Sequence, residues 1–229
     1  MRKIIFMLTT MFLLASCTGS QSEQTAATGA IDQPDSTFDY HVDRFADIEI
    51  LRYYVPGFKH LSLQQKELIY YLSQAALEGR DILWDQHNKH NLTVRRVCEA
   101  VYENYMGDKN SDNWRNFETY LKQIWMANGV HHHYSEDKIM PAFNQDYFVT
   151  IVKSVDPGRM PFRDGMAADE TLNEILPLMF DPKVSPKRMN QSAGADIVAT
   201  SGVNFYEGVT QKEVEDFYNA MKDPDDHTP

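Results

Sequence analysis

The stretch SDNWRNFETYLKQIWMANG, residues 111–129, decides the fold class because it contains a helix together with both of its ends. Its large apolar residues recur at the spacing of one helical face: Trp114, Phe117, Leu121 and Ile124 or Trp125. Ser111 is a suitable N-cap, and Gly129 is a natural C-terminal stop. The stretch therefore predicts a helix whose apolar face must be buried against other parts of the chain.

Two more apolar stripes at helical spacing precede this helix. They are Leu68, Leu72, Ala75 or Ala76 and Gly79, and then Val94, Val97 or Cys98, Val101 and Tyr105. Ser62 and Gln65 are placed as a capping box at the start of the first of them. Three such faces need one another, so we predict that the helices bury their stripes together in a helical core over residues 61–155. Trp84, Trp114 and Trp125 fall on these stripes or at their edges, which predicts core positions for all three.

The second half of the chain mixes helices with irregular stretches. Residues 147–155 combine β-branched residues with helical spacing, and a suitable N-cap at Asn144 favours a helix. Another helix is expected over residues 170–179, bent or shortened at Pro177. Residues 197–205 are the best strand candidate, although Gly202 interrupts them.

The last helix has a clear start and a clear end. Thr210 and Glu213 form a capping box, and the helix should end near Lys222. Residues 156–222 are thus expected to hold irregular chain, a strand and this helix. The fold class that follows is α+β, predominantly helical.

The N-terminus is typical of an exported lipoprotein. Arg2 and Lys3 precede an apolar run that is too short to span a bilayer but has the length of a signal-peptide core. The run ends in LASC at residues 14–17, so we expect cleavage of residues 1–16 and lipidation of Cys17, which would anchor the protein to a membrane of the bacterial cell envelope. The alternative is an ordinary signal peptide with an incidental cysteine. Residues 17–36 are small and polar and predict a flexible tether before a body at 37–229.

Composition restricts the class of partner. A hydrophobic content of 42% allows a packed core, and a net charge of −11 makes nucleic acid an unsuitable partner. If Cys17 is lipidated, Cys98 remains alone and no internal disulfide can form. Because Cys98 lies in an apolar helical stretch, it is interpreted as a small buried hydrophobe rather than a nucleophile.

Five groups of residues carry a resemblance through their order and spacing. They are DRFAD (43–47) with LRY (51–53), LQQKEL (63–68), GRDILWDQ (79–86), NGVHHHYS (128–135) with Lys138, and VNFYEGVT (203–210). Together they resemble the N-terminal portion of dipeptidyl peptidase III, a family of two-lobed zinc metallopeptidases. The likeness extends from about residue 40 to about residue 225, which is nearly all of the predicted mature body.

The resemblance implies a hydrolase of the aminopeptidase type that removes dipeptides from the N-termini of short peptides. In the family, a helix with a His-Glu-x-x-(x)-His pattern and a glutamate from a following helix hold the zinc, and a second glutamate activates the bound water. None of the eight histidines is followed by Glu and then by a second His at that spacing. The chain is therefore expected to be the N-terminal part of the lobe opposite the zinc lobe. It should contain no catalytic residue and no metal ligand, and should be inactive without the C-terminal portion of the enzyme.

Several polar residues are candidates for a peptide-binding site. The run His131, His132 and His133, with Tyr134 and Lys138, is interpreted as a loop that hydrogen-bonds across a cleft wall, with structural packing as the open alternative. Metal binding by the run is disfavoured because neighbouring side chains of an extended chain point to opposite faces.

Two further candidate groups are weaker. Glu207 either binds a peptide amine or solvates a turn, and we favour the turn. His87 and His90 could form half of a metal site, but surface positions are the favoured interpretation.

Two classes of function follow from these residues. The first is a zinc-dependent dipeptidyl peptidase represented by its N-terminal portion. The second is a noncatalytic envelope lipoprotein that retains a peptide-binding lobe. Short peptides are the expected partners in both, and the DNA downstream of the gene discriminates between them.

Overall fold

The computed structural model of the protein describes residues 34–162 and 167–222. The predicted signal peptide, Cys17 and residues 17–33 of the predicted tether lie outside the described residues. Within the described ranges, no helix is long and apolar enough to cross a membrane.

The described part of the chain starts with a small hairpin and continues as a series of helices. The antiparallel strands are β1 (His41–Phe45) and β2 (Ile48–Leu51). The helices are α1 (Leu63–Glu78), α2 (Arg80–His87), α3 (Asn91–Asn104), α4 (Asp112–Ala127), α5 (Gln145–Ser154), α6 (Ala168–Phe180), α7 (Ile197–Thr200) and α8 (Gln211–Met221). This confirms the α+β, predominantly helical class.

Side-chain caps set the helix starts at the predicted positions. Ser62 and Gln65 form the capping box of α1, and Thr210 and Glu213 form that of α8. The Ser111 hydroxyl accepts a hydrogen bond from the Trp114 amide at 3.3 Å. Asn144 likewise caps α5, which confirms a helix over the ambiguous stretch.

The core lies among α2 to α6, with α4 at its centre. Six residues of α4 are buried, and its Phe117 ring lies 5.7 Å from that of Phe143 and 6.2 Å from that of Phe148. The buried cluster begins at Trp84 in α2 and reaches Met179 in α6. The core is therefore shifted along the chain relative to the prediction of residues 61–155. Cys98 is fully buried inside it, as predicted.

Helix α1 does not join this core, so the prediction that three helices bury their stripes together is wrong for the first of them. None of its sixteen residues, all of them described, is buried, and Leu68 and Leu72 are 58% and 60% exposed. Helical spacing of apolar residues shows that a face needs a cover, but it does not say which element supplies it. Trp125 is also more exposed than predicted, because its indole N–H donates to Glu99 Oε1 at the surface.

The strand predicted over residues 197–205 is wrong. Residues Ile197–Thr200 form one helical turn, in which Asp196 Oδ1 accepts a hydrogen bond from the Ala199 amide at 2.8 Å. A strand needs a neighbour for its backbone groups, and among the described residues the hairpin strands pair only with each other. Helix α6 also differs slightly from its prediction, since it continues through Pro177 to Phe180.

Helix α8 lies on the surface of the described protein. No residue of this helix, which the structure describes in full, is buried, and its Phe217 and Met221 are 61% and 59% exposed. A shallow apolar depression lies between α8 and the preceding turn and is lined by Tyr206, Val209, Val214 and Phe217 among others.

The hairpin is attached to α4 by few contacts. Of the residues in its two strands, all of them described, Ile48 alone is buried. Lys122 of α4 donates to Asp43 Oδ2 at 2.8 Å and lies 5.6 Å from the centre of the Phe45 ring.

Candidate functional site

A cleft of about 260 Å³ lies where the α2–α3 junction, α6 and the segment 181–207 meet. Its lining comprises Asn88, Lys89, His90, Glu174, Pro177, Leu178, Val184, Ser185, Ser201, Gly202, Val203, Asn204, Tyr206 and Glu207. The walls thus combine charged side chains with backbone of an irregular segment, an arrangement that suits a small polar ligand.

Two side-chain pairs, each with one carboxylate, face this cleft. Lys89 Nζ lies 2.6 Å from Glu207 Oε1 at its mouth, and this ammonium lowers the pKa of the Glu207 carboxyl. His90 Nδ1 lies 3.7 Å from Glu174 Oε2. With the imidazole neutral, the four groups carry a net negative charge, which favours an ammonium-bearing ligand. Glu207 lies in the turn before α8, as predicted, and its carboxylate is largely exposed.

His131, the first residue of the histidine run, forms part of the wall behind the cleft rather than its surface. Its side chain is buried, and Nε2 lies 2.7 Å from the carbonyl oxygen of Ser185. A carbonyl only accepts, so Nε2 carries the proton of a neutral ring. Burial lowers the pKa of His131. This placement favours the packing alternative for His131, whose ring supports the wall of the cleft.

His132 and His133 lie on the outer side of the same loop. His132 Nδ1 accepts from the amides of Tyr134 and Ser135 at 3.2 and 3.1 Å, which places the ring proton on Nε2, 3.5 Å from Asp47 Oδ2. The His133 ring is exposed and lies 4.5 Å from that of His132. The buried His131 is therefore separated from the more exposed His132 and His133.

Tyr134 and Lys138 are also separated from the cleft lining. Tyr134 is 88% exposed. The Lys138 ammonium donates to the carbonyl oxygens of Asp181, at 2.7 Å, and Val184, just beyond the end of α6. Burial lowers its pKa to about 8. Lys138 thus acts as a structural tie between the loop and the segment 181–207.

An ionic and backbone network, not predicted from the sequence, joins that segment to the loop. Arg188 donates to both carboxylate oxygens of Glu136, with Nε at 2.7 Å from Oε2. The Arg188 amide donates to the Glu136 carbonyl, and the Lys138 amide donates to the Pro186 carbonyl. Because these partners are about 50 residues apart, neither half of the network has a local signature.

His87 belongs to this network, which corrects its predicted surface position. Its Nδ1 lies 3.0 Å from the Asn128 carbonyl oxygen, and its Nε2 lies 3.4 Å from an Arg188 nitrogen. The ring is half-buried, and burial together with the Arg188 charge lowers its pKa. His90 is also partly buried rather than exposed.

Buried asparagines fix the two ends of the cleft wall. Asn88 Nδ2 donates to the Gly202 carbonyl at 3.1 Å. Asn91 donates to the Trp84 carbonyl and accepts from the Val130 amide, which positions the first residue of the histidine run. A search of the sequence for charged or metal-binding residues does not identify such amide side chains. A polar residue within an apolar helical stripe, such as Asn91, nevertheless indicates a buried hydrogen-bond partner.

The described residues offer no metal centre. No group of three or more His, Cys, Asp or Glu side chains in residues 34–162 and 167–222 is arranged to hold a metal ion. For three of the histidines, the nitrogen that could bind a metal is not available to one. The Nδ1 of His132 accepts from two amides, the Nδ1 of His131 is buried, and the Nε2 of His87 faces a guanidinium.

The structure therefore separates the predicted site residues into two sets. Glu207 faces the cleft, whereas His131 and Lys138 support its wall and His132, His133 and Tyr134 face away. No family model matches the chain, and no curated protein matches it significantly. The interpretation of function accordingly depends on the cleft and on the resemblance.

Proposed function

We propose that this chain forms the peptide-binding lobe of an exported dipeptidyl peptidase of the dipeptidyl peptidase III type. The observation that carries the proposal is the position of Glu207. It belongs to the VNFYEGVT stretch of the resemblance, and its carboxylate lies at the mouth of the cleft. A carboxylate at an exposed mouth can accept hydrogen bonds from the α-ammonium of a short peptide.

The remaining lining supports a peptide ligand as well. Lys89 provides a positive charge beside Glu207, and Glu174 provides a second carboxylate next to His90. A zwitterionic peptide matches such alternating charges better than a ligand of one sign.

Within the described residues, no group of histidines and carboxylates is arranged to hold zinc. In the proposed enzyme the metal is held by residues outside this chain, and we derive no hydrolytic step here. We expect purified chain to contain no stoichiometric zinc and to release no naphthylamine from dipeptidyl-naphthylamides. One equivalent of zinc that is lost in His131→Ala or His133→Ala would contradict this assignment.

The uncovered apolar faces support a role within a larger assembly. Leu68 and Leu72 of α1 and Phe217 and Met221 of α8 are all more than half exposed. Apolar surface of this extent is typical of a protein–protein contact. In the proposed enzyme, the C-terminal portion covers these faces.

The test of peptide binding is calorimetric titration of the chain with tetra-alanine at pH 7.5. We expect binding of the free peptide, no binding of its N-acetyl form, and binding to Glu207→Gln that is weaker by up to about fivefold, since an exposed charge pair contributes up to about 1 kcal/mol. Glu103→Gln, an exposed carboxylate on α3, is the matched control and should bind as the parent does. Equal binding by Glu207→Gln and the parent would refute the assignment of Glu207.

A noncatalytic lipoprotein with the same lobe would give the same titration. The two are separated by the DNA that follows the gene: a continuation encoding a zinc helix supports the peptidase, and a terminator followed by an unrelated gene supports the binding protein. The membrane location shared by both depends on Cys17.

A further inference from the structure

His131 connects the histidine loop to two points on the segment 181–207. Its Nε2 donates to the Ser185 carbonyl at 2.7 Å. On another side, Gly202 packs so closely that an added Cβ would lie 2.9 Å from the ring Cε1. Ser185 and Gly202 both line the cleft, so one buried ring determines the position of its wall.

Only the neutral form of this ring fits its surroundings. His131 Nδ1 is buried, and no hydrogen-bond partner for it is found among the described residues. A proton there would create a buried donor without an acceptor, in addition to a buried positive charge.

The charged groups around the ring also oppose its protonation. Lys138 and Arg188 face it with positive charge. Glu136 is the nearby carboxylate, but both of its oxygens accept hydrogen bonds from Arg188. His87, on the far side of Arg188, would add another positive charge if it were protonated.

We propose that His131 is an acid-sensitive positioning residue whose protonation releases residues 184–204 from the histidine loop and opens the cleft wall. Neutral His131 holds the wall closed near pH 7.5. A solvated imidazole gains its proton below about pH 6.5. Protonation shifts the equilibrium toward the open form, because water can reach the imidazolium only when the wall is open. The opening itself is independent of the peptidase assignment. Its consequence, that peptide binding weakens in acid, rests on the proposed function.

The measurement is hydrogen-exchange mass spectrometry of the full chain without peptide, at pH 7.5 and 5.5, corrected for the intrinsic exchange rate. The reporters are the amides of Lys138 and Arg188, which donate to the Pro186 and Glu136 carbonyls across the interface that opens. We expect their protection to fall about tenfold between these pH values, the factor for one linked proton with an open-state pKa near 6.5. Amides of α4 serve as the internal reference.

His131→Gln places an uncharged N–H donor near the position of Nε2, so it should abolish the acid effect. His133→Gln is the matched control, because that ring is exposed, and should retain the full effect. Unchanged protection in the parent overturns the proposal, as does an acid effect that persists in His131→Gln or disappears only in His87→Gln.

A second measurement covers the case in which His131→Gln does not fold. The His131 ring is followed by NMR in the parent protein between pH 7.5 and 5.5. A ring that stays neutral in the closed form while amide protection falls supports the proposal, and a ring that becomes protonated while the amides keep their full protection overturns it. Failure of peptide binding at pH 7.5 would reject the proposed function without affecting these exchange data.

Discussion

Substitution of Gly202 by alanine tests the most crowded point of the cleft wall. The new Cβ would lie 2.9 Å from His131 Cε1 and 3.2 Å from the Lys187 carbonyl oxygen. The backbone oxygen is held by the hydrogen bond that it accepts from the Gly202 amide. The ring cannot move away without lengthening its bond to Ser185.

The expected cost follows from two opposing effects. Overpacking of a buried site costs about 1–3 kcal/mol. Replacing glycine with alanine also restricts the unfolded chain, which stabilises the protein by about 0.4–1 kcal/mol. The difference predicts a net loss of about 1–2 kcal/mol, and therefore a melting temperature lower by about 2–8 °C for a domain of this size.

Gly79→Ala is the matched control, with the opposite expected sign. Gly79 has φ −76°, and the nearest atom to an added Cβ is the Ala76 carbonyl oxygen at 3.8 Å. Alanine should fit there and raise the free energy of unfolding by about 0.4–1 kcal/mol. Both variants are measured by urea and thermal unfolding with circular dichroism. If Gly202→Ala proves as stable as the parent, the His131 ring does not pack as described.

Three further changes test other parts of the chain. Leu121→Ala should lose about 2–5 kcal/mol of stability because its side chain is fully buried, whereas Leu72→Ala on exposed α1 should change it by less than about 0.5 kcal/mol in urea titrations. A loss above about 1.5 kcal/mol at Leu72 would mean that α1 is packed in solution. Complete burial raises the pKa of the Cys98 thiol, so in a Cys17→Ser chain a thiol reagent should label it only after denaturation; rapid labelling of folded protein would contradict its burial. The mature protein should begin at acylated Cys17, and mass spectrometry of membrane fractions should find this acylated N-terminus in the parent and not in Cys17→Ser; equal processing and equal membrane retention of the two forms would reject the lipobox.

Helix starts could be predicted because their causes are local. Ser62, Ser111, Asn144 and Thr210 each cap an amide two or three residues ahead, so the pattern and the hydrogen bond occupy the same short stretch. The strand prediction for residues 197–205 was wrong for the opposite reason. A strand depends on a partner that is distant in sequence, whereas Asp196 caps the helical turn from only three residues before Ala199.

The candidate site was less predictable because its contacts join distant parts of the chain. His131 contacts Ser185 and Gly202, which are more than 50 residues away in sequence. No local pattern near the histidine run predicts either contact. The sequence identified the loop and the Glu207 turn as polar features. It could not distinguish the residue that faces the cleft from those that support its wall, because burial is decided by the long-range packing.

The attachment of the hairpin has a consequence for how the body is held. Apart from the buried Ile48, the described contacts to the body include the Lys122–Asp43 pair and the approach of His132 to Asp47, both partly open to solvent. The distance over which salt screens such charges shortens from about 10 Å at 0.1 M to about 3 Å at 1 M. Ionic strength should therefore loosen the hairpin while leaving the helical core intact. If the chain is anchored through Cys17, the hairpin lies between the anchor and the helical core, and the ionic strength of the surroundings then affects the angle between the core and the bilayer.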